Sequence, residues 1–163
     1  MKTPIENKCL TSCTGCCKFY KEDLYFRPKI TDKEIAKIKT KGFYKNVFLP
    51  FKNSKNVFQI SMNQSKLSKD LLVCPYLDEK TKMCQIYNIR PFDCRFWPFL
   101  ASYNKTKEKV LIVHFKKNIC EITNDMNKEE YKNYLKKTLD EWINKKHLIK
   151  ILSEYPDLIW SPE

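Results

Sequence analysis

The spacing of apolar residues predicts a short helix early in the chain. Residues Thr31–Glu34 form a capping box, in which the first hydroxyl and the last carboxylate each accept a hydrogen bond from the other residue's backbone N–H. Ile35 and Ile38 follow one turn apart on a single face. Gly42 lies where a residue with a left-handed backbone would end the helix. We therefore predict an amphipathic helix that begins after Thr31 and ends near Gly42.

Two apolar runs predict strands. Partial alternation over Val57–Met62 is typical of a half-buried strand, and the continuous run Val110–Val113 is the strongest strand signal in the chain. The aromatic segment Phe43–Phe51 is interpreted as a connection. We expect the two strands to pair with each other in a small antiparallel sheet.

A hairpin is predicted further along the chain. Leu71–Val73 leads into Cys74, and the charged segment Asp78–Lys82 separates it from Cys84. Short segments on either side of a polar turn favour a hairpin or knuckle. This hairpin would bring Cys74 and Cys84 together.

A second capping box, Asn127–Glu130, predicts a helix over about 127–155. Its apolar residues recur near helical spacing and form one stripe, while lysines cover the other face. The stripe contains Tyr131, Leu135, Trp142, Ile149 and Leu152. We interpret the segment as a packing helix with a solvated back.

The net charge of +12 raises the question of a polyanionic partner. Lysine supplies nearly all of this charge, since only Arg27, Arg90 and Arg95 are arginines. A composition rich in Lys and Asn is also what an AT-rich genome produces. Specific nucleic-acid binding is therefore an alternative and not the leading interpretation.

The start of the chain and the length of its apolar runs indicate the cellular compartment. Met1–Asn7 has no apolar run behind it, and Val110–Val113 is far too short to span a bilayer. We expect no signal peptide, no membrane association and a cytoplasmic location. In a reducing compartment, clustered cysteines indicate metal or redox chemistry and not disulfides.

Eight cysteines are the main chemical signal. They are Cys9, Cys13, Cys16, Cys17, Cys74, Cys84, Cys94 and Cys120. Thiolates are soft ligands that suit zinc and iron–sulfur centres, at about four per metal ion or cluster. All eight are predicted metal ligands, in two four-ligand sites or in one site with additional thiols; a buried apolar cysteine is the alternative for Cys120. Neighbouring side chains point to opposite sides of extended backbone, so Cys16 and Cys17 suit different centres, or one binds while the other packs.

Spacing favours iron–sulfur over zinc. Zinc sites usually use paired Cys-x-x-Cys units, and two such pairs are missing here, whereas several close cysteines plus a distant one resemble iron–sulfur ligation. Aromatic residues near Cys94 would shield a cluster from water, or equally form a core. They are Phe92, Phe96, Trp97 and Phe99. We predict a 4Fe–4S cluster, with zinc as the alternative.

Arg90 and Arg95 flank Cys94 and are predicted to bind the cofactor. As fixed cations they could offset cluster charge, donate hydrogen bonds to sulfur, or bind an anionic substrate. The alternative is a structural ion pair with a nearby carboxylate, namely that of Asp93, Asp78 or Glu79.

These elements predict an α+β fold with a small antiparallel sheet, metal-binding cysteine loops and a long C-terminal helix. We expect Lys8–Tyr20 to be an irregular loop around the metal. A chain of 163 residues without repeats or linkers is expected to form a single domain, 1–163, whose cysteine core spans 9–120.

The cysteines and their neighbours resemble the CxxCxxCC family of cysteine cluster proteins, described as zinc- or iron-chelating. The matching segments are Cys9-x3-Cys13-x2-Cys16-Cys17, Cys74-Pro75-Tyr76-Leu77, Cys84-Gln85-Ile86-Tyr87 and Arg90-Pro91-x-x-Cys94-Arg95. One departure is the gap of three residues after Cys9, where the family motif has two. The resemblance covers roughly Cys9 to Cys120.

The resemblance implies metal chelation, and most family members have no assigned reaction. A larger protein with a similar cysteine pattern is the flagellin lysine methylase, for which an iron–sulfur cluster and S-adenosylmethionine are expected. The leading hypothesis is a metal-binding protein with a redox or structural role. The alternatives are a metalloenzyme that modifies protein side chains and a zinc-stabilised nucleic-acid-binding module. The protein or small-molecule partner is not identified by the sequence.

Overall fold

The computed structural model of the protein describes residues 17–44, 46–97, 99–104, 109–114, 126–142 and 145–158. Four of the predicted ligands lie outside these ranges, and the prediction made for them stays a prediction. They are Cys9, Cys13, Cys16 and Cys120. Two compact units divide the chain, one of residues 15–97 and one that includes residues 98–163. Short antiparallel strands and helices occur in both units, which confirms the α+β class.

Residues 15–97 form short strands and two α-helices. The strands are β1 (Lys18–Tyr20), β2 (Lys29–Thr31), β3 (Phe48–Pro50), β4 (Val57–Ile60), β5 (Asn63–Gln64), β6 (Leu71–Val73), β7 (Leu77–Asp78) and β8 (Met83–Cys84). The α-helices are α1 (Asp32–Thr40) and α2 (Phe92–Phe96), and single 3₁₀ turns cover Lys21–Phe26 and Tyr87–Ile89. The strand orders are β1-β6-β5, β2-β4-β3 and β7-β8, and every pairing is antiparallel.

The early helix is confirmed together with its capping box. The backbone N–H of Glu34 donates to the Thr31 hydroxyl, and the backbone N–H of Thr31 donates to the Glu34 carboxylate at 3.0 Å. Ile35 and Ile38 are both buried. Gly42 has φ of +84°, a backbone conformation that costs glycine little and ends the helix.

Two segments predicted as irregular contain strands. Lys18–Tyr20, placed in the cysteine loop, is β1 and pairs with β6. Phe48–Pro50, placed in the aromatic connection, is β3 and pairs with β4. Each strand is only three residues long, which is too short for a clear pattern. The partner of β1 is also distant in sequence, whereas β3 pairs with the next strand along the chain.

The core of residues 15–97 is apolar and includes a cysteine. Ile30, Ile38, Ile60 and Tyr76 are fully buried, and Cys74 lies in the same cluster at 6% exposure. The β2-β4-β3 sheet, α1 and the hairpin around Tyr76 all contribute to it. The predicted ligand Cys74 is therefore part of the hydrophobic core and not of a surface loop.

The second unit contains a two-stranded hairpin, β9 (Phe99–Asn104) and β10 (Lys109–His114). The strand predicted at Val110–Val113 is confirmed, but its expected pairing with the Val57 strand is wrong. β10 pairs with β9, and Phe99 lies opposite His114. Strands that are close in sequence pair at a lower entropic cost, and β4 already has a partner on each side.

The predicted C-terminal helix is seen as two helical segments, α3 (Lys128–Trp142) and α4 (Lys145–Glu154), followed by a 3₁₀ turn at Pro156–Leu158. Residues 143–144 between them lie outside the described part. The capping box is confirmed, because the Asn127 side chain accepts from the N–H of Glu130 while the Glu130 carboxylate accepts from the N–H of Asn127.

The predicted apolar stripe is partly visible. Leu152 is fully buried, Tyr131 and Ile149 are half-buried, and the side chains of Leu135 and Trp142 lie outside the description. Tyr134 stacks on Phe99 with ring centroids 6.0 Å apart. Among the helices of the described ranges, none combines the length and apolar character needed to cross a membrane.

Candidate metal centre

Cys17 and Cys74 lie opposite each other at one end of the β1–β6 ladder. The register pairs Lys18 with Val73, and the backbone N–H of Cys74 donates to the carbonyl of Cys17 at 2.8 Å. Residues that face each other across two antiparallel strands carry their side chains on the same face of the sheet. The fold therefore brings a cysteine of the N-terminal group to a cysteine of the central group.

Cys84 reaches the same region through the β7–β8 hairpin. The N–H of Leu77 donates to the carbonyl of Cys74 at 2.9 Å, and Leu77 then lies opposite Cys84 in the ladder. The turn is held by Asp78, whose carboxylate accepts from the N–H groups of Lys80 and Thr81. These bonds lower the pKa of Asp78. The predicted hairpin that joins Cys74 and Cys84 is confirmed.

Three cysteines lie in or against one apolar cluster. Cys17 and Cys84 pack against the cluster that contains Cys74 and Tyr76. Burial, and after it the electrostatic effect of the neighbouring Cys74, raises the pKa of Tyr76 to about 12. Since an ionised thiol in apolar surroundings requires a compensating cation, this environment suits thiolates that are bound to a metal.

Cys94 lies on α2, and the first two residues of this helix are hydrogen-bonded to neighbouring elements. The backbone N–H of Phe92 donates to the Glu34 carboxylate at 2.6 Å. Asp93 accepts from the backbone N–H of Lys29 at 2.9 Å. These contacts tie α2 to α1 and β2, and so determine where Cys94 is placed.

The aromatic residues around Cys94 are buried or half-buried. Phe92 and Phe96 stack with ring centroids 5.2 Å apart, and Trp97 meets Phe19 edge-on at 6.5 Å. Trp97 directly follows α2, and Phe19 lies in β1, two residues from Cys17. This ring contact therefore joins the end of α2 to the strand that follows Cys17.

Arg90 and Arg95 make contacts that differ from each other. The Arg90 guanidinium lies 3.6 Å from the centre of the Tyr87 ring, and its Nε donates to the Tyr87 carbonyl at 3.0 Å. Arg95 lies 3.7 Å from the Glu34 carboxylate. That partner is not one of the three carboxylates that the sequence suggested. The role in cofactor binding stays a prediction.

Glu34 is the functional candidate that sequence reasoning missed. The pattern around Thr31 explains its role in the capping box but not its bond to Phe92, 58 residues away. No local signal connects the two residues, because the contact depends on how α1 and α2 pack.

The described cysteines are thiols and make up half of the predicted ligand set. Within the described ranges, no three His, Cys, Asp or Glu side chains converge closely enough to hold a metal ion. The donor chemistry of Cys17, Cys74 and Cys84 nevertheless fits either zinc or iron, since both accept thiolate sulfur.

The fold belongs to the α+β class, and its cysteines are of the residue type that binds soft metal ions. A family model, whose description reads "Putative zinc- or iron-chelating domain", matches residues 8–138. The chain belongs to this family, CxxCxxCC. No solved structure was found to match the chain.

Proposed function

We propose that the protein binds an iron–sulfur centre through its cysteines, a 4Fe–4S cluster in preference to zinc, and that the centre has a redox or structural role in the reducing cytoplasm. The family supports binding of zinc or iron. The observation that carries the proposal is that one apolar cluster contains Cys74 and has Cys17 and Cys84 packed against it.

The chain's own residues would hold and shield the centre. Cys17 and Cys74 supply sulfurs from facing strands, Cys84 supplies one from the hairpin, and Cys94 supplies one from α2. Cys9, Cys13, Cys16 and Cys120 lie outside the described ranges and stay ligands predicted from the sequence. When bound, an iron–sulfur cluster supplies one-electron transfer, whereas zinc supplies a structural link.

Two observations favour iron over zinc. The chain has no pair of Cys-x-x-Cys units, which zinc sites commonly use. The second observation concerns the aromatic rings close to Cys94, of which Phe92 and Phe96 are buried and Trp97 is half-buried. Such rings exclude water, and exclusion of water is one of the means by which proteins tune the properties of a cluster. Arg90 and Arg95 are proposed to offset the negative charge of the thiolates.

The test is anaerobic purification followed by iron, zinc and acid-labile sulfide analysis and an absorption spectrum. Iron with matching sulfide and a broad band near the visible edge is the expected result. Zinc without sulfide would replace the cluster by the zinc alternative. A full-length protein that holds neither metal and folds equally well with a chelator would overturn the proposal.

Two variants at adjacent positions of the β7–β8 hairpin provide a matched comparison. Cys84→Ser removes a proposed ligand, and we expect lower metal content and a changed spectrum. Met83→Ser alters the neighbouring residue, which is exposed and is not a proposed ligand, so the metal content of this variant should equal that of the unmodified protein.

A further inference from the structure

Glu34 joins α1 to α2 through both oxygens of its carboxylate. Oε2 accepts from the backbone N–H of Thr31 at 3.0 Å and from its hydroxyl at 3.1 Å. Oε1 accepts from the backbone N–H of Phe92 at 2.6 Å and lies 3.7 Å from Nη2 of Arg95. The side chain is only 18% exposed. The two contacts on α2 lie on either side of Cys94 in sequence.

α2 needs such contacts because it is short. A helix of five residues has too few internal hydrogen bonds to be stable by itself. Hydrogen bonds from an N–H to a carboxylate are roughly twice as strong as neutral ones, and a partly buried carboxylate is screened less by solvent. Glu34 is therefore a principal determinant of the position of this helix.

We propose that Glu34 is a positioning residue for the metal centre. It fixes the backbone of α2 and thereby holds the sulfur of Cys94 where it can bind the metal. This inference rests on the proposed function, and it assigns to a capping residue a second role at the site. Outer partners of this kind commonly change metal affinity by about 10- to 100-fold when they are removed.

The chemistry of the carboxylate suggests a sharp substitution. Both Glu34 oxygens accept from N–H donors, one at Thr31, the N-cap that precedes α1, and one at Phe92 on α2. An amide of the same shape has a single acceptor oxygen, and its NH₂ group would face the other donor. Glu34→Gln therefore breaks one of the two links with almost no change in volume, and it removes the charge that faces Arg95.

The experiment is a titration of the reduced, metal-free full-length protein with Co²⁺, followed by its absorption spectrum. The intensity of thiolate-to-cobalt charge transfer reports how many sulfurs bind, which a change in stability alone does not alter. We expect Glu34→Gln to lose intensity comparable to that lost by Cys94→Ser, and to bind Co²⁺ about tenfold or more weakly. The double variant should be no worse than Cys94→Ser.

Two controls separate positioning from general effects. Thr31→Ala removes the hydroxyl of the capping box but leaves the bond from Phe92 intact, so its spectrum should match that of the unmodified protein. Glu129→Gln removes a carboxylate that is 75% exposed, on α3, and should also leave the spectrum unchanged. Glu34→Asp, which retains the charge but is shorter, provides a second variant should Glu34→Gln fail to fold.

Three results would overturn the inference, and they are distinguishable. An unmodified protein that binds Co²⁺ through sulfur, together with a Glu34→Gln variant of identical spectrum and affinity, refutes positioning while the proposed function stands. Loss of fold in both Glu34 variants, with Thr31→Ala still folded, makes Glu34 structural only. Failure of the unmodified protein to bind Co²⁺ through sulfur contradicts the proposed function and this inference with it.

Discussion

At the residue scale, the kinds of side chain at the site could be predicted but their partners could not. The four described cysteines stay predicted ligands, whereas the predicted hairpin between Cys74 and Cys84 is present as β7–β8. The cross-strand meeting of Cys17 with Cys74 had no signal in the sequence. The same applies to Glu34, because its second bond depends on tertiary packing.

One residue has a backbone conformation that its side chain disfavours. Lys82, in the turn between β7 and β8, has φ of +58°. We predict that Lys82→Gly stabilises the protein by about 0.5 kcal/mol, because the left-handed conformation costs a residue with a Cβ roughly 1–2 kcal/mol and glycine's greater freedom in the unfolded chain returns part of that gain. Urea unfolding of the reduced, metal-free protein measures it.

The matched control is Lys80→Gly in the same turn. Among the described residues, the only positive φ values outside glycine belong to Lys52 and Lys82, so glycine at position 80 relieves no strain. We expect that variant to lose about 0.5 kcal/mol. Equal effects of the two glycines would contradict the argument from backbone strain.

At the element scale, helix starts were predictable because capping chemistry is local. Both capping boxes are present as expected, at Thr31 and at Asn127. The strand at Val110–Val113 was also correct, yet its partner was not. Strand pairing depends on entropic cost and on neighbouring strands, and neither is contained in a run of four apolar residues.

The cap of α3 gives a second prediction. The Asn127 side chain accepts from the N–H groups of Glu129 and Glu130, at 3.0 and 2.9 Å. In Asn127→Ala, the two N–H groups lose their side-chain acceptor and can only bind water. The free energy of unfolding should therefore fall by about 1 kcal/mol. Circular dichroism during urea unfolding measures the change.

Asn133→Ala on the same helix should act in the opposite direction. Asn133 is exposed in the helix interior, where alanine has the higher helix propensity, so we expect a gain of roughly 0.5 kcal/mol. Similar losses in both variants would mean that the cap contributes nothing specific.

The β7–β8 hairpin is also joined to the β5–β6 segment by a carboxylate. Glu79 accepts from the Ser65 hydroxyl and from the N–H of Lys66, and these bonds lower its pKa. The ionised form is therefore favoured in the folded state. Its contribution to stability is present above the unfolded pKa of about 4.3 and is lost as the pH falls through the lower folded pKa.

We predict that Glu79→Gln removes this part of the acid sensitivity. The free energy of unfolding of the metal-free protein should fall less steeply between about pH 5 and pH 3 in the variant than in the unmodified chain. Urea midpoints across that range provide the measurement. Parallel curves for the two proteins would show that the bond to Ser65 does not bias Glu79 toward its ionised form.

At the scale of the whole molecule, class and family followed from the sequence, whereas the grouping of the ligands did not. The α+β class and the CxxCxxCC family are confirmed. The single domain over 1–163 stays a prediction. The sequence shows which residues are of the soft-ligand type, namely the cysteines. Which cysteines share a metal centre depends on contacts between segments that are distant in sequence.

Metal removal should lower the stability of the molecule. A ligand that binds only the folded state stabilises it by about 4 kcal/mol at a free concentration of a thousand times its Kd. We therefore expect chelation to lower the Tm and to increase hydrogen exchange at the amide of Cys74. The Tm of Cys84→Ser should respond less to chelator than that of Met83→Ser, and equal responses would argue against Cys84 as a ligand.

The backbone hydrogen bond between Cys74 and Cys17 has a consequence for how the chain folds. It closes a long loop that contains β2, α1, β3, β4 and β5, and such closure costs entropy that grows with the logarithm of loop length. A metal that takes both sulfurs is a reversible cross-link of this loop, and a covalent one is worth roughly 3–5 kcal/mol in the chain-entropy model for loops of about 15 to 100 residues. Early capture of metal would therefore restrict the unfolded ensemble, and we expect β1–β6 pairing to be faster when metal is present.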